Sequence, residues 1–167
     1  MRTRYIFLVL PVILGGCLNE GGTDNALSQV CPAFGFVPAA IEVNRLSEIT
    51  LIDDYNEYAV INVFVDVADM FGVNMKAPGV LRFELYEYKN LSANNIGTRI
   101  YDWPVIDITN GQENQNYWRD SLRAYMFELK ISQKLDKNAK YVLSATFINE
   151  TDRLRFTDTR IVEYYGK

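Results

Sequence analysis

From residue 58 to residue 69 the chain alternates. Ile61, Val63, Val65 and Val67 share one parity, while Asn62 and Asp66 fall on the other. An extended strand points successive side chains to opposite faces, so this stretch predicts a strand with one dry face and one wet face. The pattern returns in residues 80–88, with Leu81, Phe83 and Leu85 inward and Arg82 and Glu84 outward. It returns again in residues 122–131, through Tyr125, Phe127, Leu129 and Ile131, and in residues 140–149, through Tyr141, Leu143, Ala145 and Phe147. Residues 41–52 are more weakly patterned, with Ile49 and Leu51 the clearest alternating pair, and residues 98–103 predict a short strand ended by Pro104. In residues 154–164 the parity changes: Leu154 and Phe156 lie on one side and Ile161 on the other. That change predicts a bulge or crossover near Asp158.

Turn chemistry separates these runs. Asp53-Asp54-Tyr55-Asn56, Lys76-Ala77-Pro78-Gly79, the polar stretch 90–97 and Asn149-Glu150-Thr151-Asp152 all carry residues that favour turns. Asn90-Leu91-Ser92 and Asn149-Glu150-Thr151 also match the glycosylation acceptor pattern, and read here as loops. The one helical candidate begins at Thr109-Asn110-Gly111-Gln112-Glu113 and is expected to end near Asp120. Thr109 or Asn110 would cap it, with Gln112 or Glu113 reaching back. About seven short antiparallel strands and one short helix predict an all-β fold, a single β-sandwich. Immunoglobulin-like, transthyretin-like and C2-like connections all fit that count.

The first 16 residues follow a different logic. Arg2 and Arg4 precede an apolar run, Tyr5 to Leu14, which ends in Gly15-Gly16 before Cys17. A charged start, a short apolar run and a small-residue end describe a secretory signal peptide. The run is too short for a spanning helix, which needs about 20 residues. Residues 17–29 are polar and Gly-rich and read as a flexible tether. Residues 30–167 then form the sandwich domain, with the apolar stretch 30–40 an irregular arm that contains Pro32 and Pro38.

Charge narrows the partners. The chain has 17 basic and 21 acidic residues; without Arg2 and Arg4 the balance is 15 against 21, a net charge of −6. Such a domain lacks the basic footprint for nucleic acid and gains nothing from anionic head groups. Two cysteines make no disulfide framework, and Cys31 reads as a small apolar residue beside Pro32 and Phe34.

The chain has no histidine, which removes the common histidine-activated nucleophiles and ordinary zinc sites. No Gly-rich phosphate loop follows a strand and opens a helix. Asp53, Asp54 and Glu57 cluster at one turn, and Asp66 and Asp69 end the strongest strand. Oxygen-rich loops of this kind can hold calcium, but the EF-hand spacing is missing, and the carboxylates read as turn and surface residues. No spacing selects a glycosidase pair. The expectation is no enzyme, no metal and no cofactor. Aromatic residues are the other candidates: Tyr101, Trp103, Tyr117 and Trp118 flank the helix, and Tyr86 and Tyr88 end the third strand. Trp103, Tyr117 and Trp118 are the candidate binding residues, able to stack on a sugar or fill a partner's pocket. The alternative for all three is core and edge packing. Arg119 and Arg123, near the end of the helix, would serve its last carbonyls or pair with Asp120.

Two resemblances complete the reading. Leu14-Gly15-Gly16-Cys17 resembles the lipobox of bacterial lipoproteins. It implies cleavage before Cys17 and lipid on its sulfur, and Leu18 in place of Asp favours outer-membrane sorting where the host has such a membrane. The stretch from Ala77-Pro78-Gly79 to Tyr88, then Tyr117-Trp118-Arg119-Asp120 and Tyr141-Val142-Leu143, is similar to uncharacterised bacterial envelope lipoproteins. That likeness brings no known activity. The expectation is a monomeric, lipid-anchored, non-enzymatic envelope sandwich that binds or positions a protein partner. The alternatives are a transthyretin-like secretion-system or envelope-assembly lipoprotein, and a surface glycan-binding module.

Overall fold

The computed structural model describes residues 37–53, 58–90, 93–136 and 138–163. The predicted signal and tether, with Cys17 and Cys31, lie outside the described residues, as do Asp54 and Glu57. Among the described residues, ten strands and one α-helix run in the order β1 (Ala40–Val43), β2 (Glu48–Asp53), β3 (Tyr58–Ala68), β4 (Gly79–Tyr88), β5 (Ile96–Asp102), β6 (Ile106–Asp107), α1 (Gly111–Tyr117), β7 (Trp118–Arg119), β8 (Ala124–Ile131), β9 (Lys140–Asn149) and β10 (Arg155–Glu163). They form two antiparallel sheets. In the first, β7, β8 and β3 lie side by side, and β1 and β2 share the far side of β3 end to end. In the second, the order is β10, β9, β4, with β5 and β6 sharing the far side of β4 in the same way.

Counting β1 with β2 as one broken strand, the sheets read ABED and GFC with one added edge strand. This is the strand order of an immunoglobulin-type sandwich. The buried faces are those that alternation predicts. Ile61, Val63, Val65 and Val67 of β3 and Leu81, Phe83 and Leu85 of β4 all belong to the core between the sheets, and all seven are fully buried. Tyr125, Phe127 and Ile131 of β8 and Leu143, Ala145 and Phe147 of β9 complete the layer between the sheets. The Phe83 and Phe127 rings meet across it, 5.2 Å between centroids.

Where the structure departs from the pattern, a polar side chain is the cause. The stretch 41–52 is two strands, because Ser47 Oγ accepts the Phe64 N–H at 3.0 Å in place of a strand partner. Asn44 shapes the intervening turn, its Oδ1 accepting the Leu46 N–H at 3.0 Å. The predicted bulge near Asp158 does not occur: β10 pairs with β9 in unbroken register from Arg155↔Ile148 to Glu163↔Lys140. The inward parity is Phe156, Asp158, Arg160 and Val162, and Leu154 and Ile161 are exposed. Asp158 and Arg160 take inward positions because they reach the edge strand of the other sheet. Val43 turns its N–H and C=O away from β3; Asp158 Oδ2 accepts the first at 2.8 Å and Arg160 Nη1 donates to the second at 3.2 Å. Two charged groups thus satisfy a strand edge that would otherwise seek another chain.

The helix also ends early, at Tyr117 rather than near Asp120. Its cap is as predicted: Asn110 Oδ1 accepts the Gln112 N–H at 2.8 Å and the Glu113 N–H at 3.4 Å. Gln112 does not reach back, and instead donates to Asn116. Trp118 turns extended and, with Arg119, pairs with Tyr125 and Ala124 of β8. Arg119 does serve the helix end, donating to the Asn116 carbonyl at 2.8 Å. Strand β5 begins at Ile96, so Gly97, expected in a loop, lies in a strand.

Candidate binding surface at the loop end

The loop after β3, the turn between β7 and β8, the β9–β10 turn and α1 gather at one end of the sandwich. They are tied together by Arg123 Nη2 donating to the Asn74 carbonyl at 2.6 Å, Lys76 Nζ lying 3.8 Å from Asp120, and the Glu150 N–H donating to the Pro78 carbonyl at 3.2 Å.

A buried polar network holds this end in place. Tyr125 Oη accepts the Ala77 N–H at 2.8 Å and lies 2.9 Å from Asn114 Oδ1 as a donor. Asn114 Nδ2 donates to the carbonyls of Ala77 at 2.9 Å and Ile108 at 3.0 Å. One strand, one helix and two loop backbones are pinned by two side chains. Burial holds the Tyr125 phenol above its ordinary pKa, more strongly than its hydrogen bonds lower it. Tyr125→Phe leaves the buried Ala77 N–H without its acceptor, at an expected cost of about 1–3 kcal/mol in a denaturant titration. The raised pKa sets the sign of a pH effect. Stability from the neutral phenol is full below the unfolded tyrosine value, about 10, and is lost as pH rises through the folded value. The gap between wild type and Tyr125→Phe is therefore expected to narrow in alkaline solution, and a constant gap refutes that assignment.

The aromatic candidates divide. Trp103 is buried, edge-on to Tyr101 at 5.0 Å, and its Nε1 donates to the Lys130 carbonyl at 2.7 Å. Tyr117 packs on Phe127 at 4.7 Å. Both help to hold the helix and the end of β5 against the core. Trp118 is nearly buried too, edge-on to Tyr125 at 5.1 Å, with Nε1 donating to Asp120 at 2.8 Å. It nevertheless floors a shallow groove with Lys76, Arg123, Asp69 and Phe71, and Lys76 Nζ sits 5.4 Å from its ring centre. Arg123, expected at the helix end, serves the β3–β4 loop instead.

That loop is the feature sequence reading passed over. Asp69 Oδ1 accepts the N–H groups of both Phe71 and Val73 at 2.9 Å. The Asp69 N–H donates to the Val73 carbonyl at 3.1 Å, and the Gly72 N–H to the Asp69 carbonyl at 3.0 Å. Gly72 has φ +77°, a conformation that favours glycine. The backbone is thus locked by one nearly buried carboxylate, while the side chains point outward: Met70 is 64% exposed, Phe71 73% and Val73 49%. The available signal was Met70-Phe71-Gly72-Val73 itself, an apolar turn where polar residues are usual.

The carboxylates otherwise serve structure. Asp66 Oδ2 accepts from Asn44 at 2.8 Å, and among the described residues no group of three acidic or cysteine side chains is placed to hold a metal. On the outer face of the second sheet, Glu84 Oε1 takes both Arg82 and Arg99 at 3.0 Å. Tyr86 stands beside them, and partial burial, then the Glu84 charge, push its phenol above the ordinary range.

No family model matches the chain, and no curated protein matches it. Among solved structures, it is similar to a beta-glucuronidase of Parabacteroides merdae, crystallised with glycerol in the active site. The likeness is at 10% identity and a TM-score of 0.39, over 70% of this chain. It spans 13% of that protein's length, and at that score it carries no argument about activity.

Proposed function

We propose that the chain is a lipid-anchored cell-envelope sandwich that binds or positions another envelope component and performs no chemistry of its own. The observation that carries this reading is Gly15-Gly16-Cys17 placed directly after a short apolar run and two arginines. Each methylene of an acyl chain contributes about 0.8 kcal/mol to membrane attachment, so two or more chains on the Cys17 terminus anchor a domain stably. Among the described residues no helix is long and apolar enough to cross a membrane. The fold suits a positioning role: its strand edge at Val43 is closed against casual pairing, while its loop end displays apolar groups on a locked backbone. The outer face around Glu84 and Tyr86 offers a second surface for a protein partner.

Cys17→Ser tests the anchor. The full chain is expected in the membrane fraction and, after detergent phase separation, in the detergent phase; the variant is expected in the soluble fraction. Membrane retention of the processed variant in the absence of any partner overturns the reading. Chemical cross-linking in native membranes is expected to join the anchored chain to a discrete protein partner.

A further inference from the structure

We propose that the Met70–Val73 loop is a membrane-contacting tip that seats the sandwich on the lipid surface with its loop end down. The inference rests on the lipid-anchor reading and goes beyond it, because a flexible tether alone leaves orientation free.

The loop is built to display apolar groups. Single exposed apolar residues are ordinary on a protein surface, whereas a contiguous set is a contact site. Here Met70, Phe71 and Val73 stand together on a turn whose N–H groups are taken up by Asp69. No backbone donor of Phe71 or Val73 has to be stripped of water when the tip enters a lipid interface, which keeps that transfer cheap. Leu122, on the neighbouring turn, is also exposed. Lys76 and Arg123 line the groove beside this apolar front, and their remaining N–H donors are available to phosphate groups. Asp69 and Asp120 balance them, so the surface suits zwitterionic lipid rather than an anionic one.

Chain connectivity places the tip at the right end. β1 starts at Ala40 opposite Ala68, and the Ala39 N–H donates to the Ala68 carbonyl at 2.8 Å, so the chain comes in beside the loop that starts at Asp69. Residues 17–36 separate Cys17 from the first described residue. Along the chain, the loop end is therefore the first part of the described domain met after the anchor.

The test places a reporter on the tip of the full lipidated chain. Phe71→Trp, with Ile161→Trp on the outer face of the second sheet as the comparison, is incorporated into phosphatidylcholine vesicles carrying bromine on the upper acyl chain. An interfacial group lies roughly 5–10 Å into the head-group boundary, so the indole introduced at position 71 is expected to be quenched roughly two-fold and blue-shifted, after subtraction of the parent signal. The indole introduced at position 161 is expected to show neither. If both variants float with the vesicles and neither new indole is quenched, the tip proposal fails while the anchor stands. If neither floats, the anchor reading fails and takes the tip proposal with it. If the indole of Phe71→Trp is unquenched in vesicles but shielded from aqueous iodide in native membranes, a protein occupies the tip, and the lipid assignment is overturned.

Discussion

Val63→Asp is expected to leave the chain unfolded. Val63 is fully buried at the centre of β3, between Phe127 on its partner strand and the facing sheet. An unpaired carboxylate there costs on the order of 5 kcal/mol or more, comparable with the whole stability of a domain, about 5–15 kcal/mol. The position one residue earlier provides the contrast. Asn62 is half-exposed on the outer face and pairs with Glu48 on one side and Glu128 on the other. Asn62→Lys meets two opposite charges and is expected to change stability by less than about 0.5 kcal/mol. Asn62→Asp meets two like charges and is expected to cost up to about 1 kcal/mol, still far from unfolding the chain. Circular dichroism and thermal melting distinguish these outcomes. Equal tolerance at Val63 and Asn62 would show that the two faces of β3 have been exchanged.

Phe127→Ala is expected to cost about 3–5 kcal/mol. The ring touches Phe83 across the sandwich, Tyr117 at the end of the helix and Tyr125 two residues away. Its loss opens a cavity among β4 and β8, whose backbones are held by strand pairing, and the end of α1, which Asn114 and Tyr125 hold in place. For a domain of this size the melting temperature should fall by roughly 10–20 °C. Phe71→Ala removes the same ring from a site that is 73% exposed and should change stability by less than about 0.5 kcal/mol in the absence of membrane. A drop at Phe71 as large as that at Phe127 would mean that the tip is packed against the fold rather than displayed by it, and would refute its description as an exposed contact loop.

Much of the architecture was legible along the chain because alternation is a local property. A residue's parity in a strand decides its face, so the buried sets of β3, β4, β8 and β9 could be read off without knowing which strand lies beside which. The helix was legible for a similar reason: Asn110 and the turn that it caps lie within four residues of each other. The candidate aromatics were found as residues but not as a site. Whether an indole faces water or a neighbouring carbonyl depends on contacts from distant parts of the chain, as Trp103 and Lys130 show.

What the sequence by itself determined was the long strands, the inner face of each strong one, and the position of the helix. Only the tertiary structure decided the strand order, since seven alternating runs fit several sandwich connections equally well. It also decided the roles of the polar residues that broke the pattern. Asp158 and Arg160 looked like a disturbance in β10 because an inward charge contradicts alternation; their partner is the free backbone of Val43, more than a hundred residues earlier. Ser47 divided one expected strand into two by bonding to Phe64, and Asp69 turned an apolar stretch into an exposed tip by gathering two N–H groups that no strand partner takes. In each case a side chain satisfies a backbone group that the sheet leaves open, and which groups a sheet leaves open is settled only when its strands have assembled.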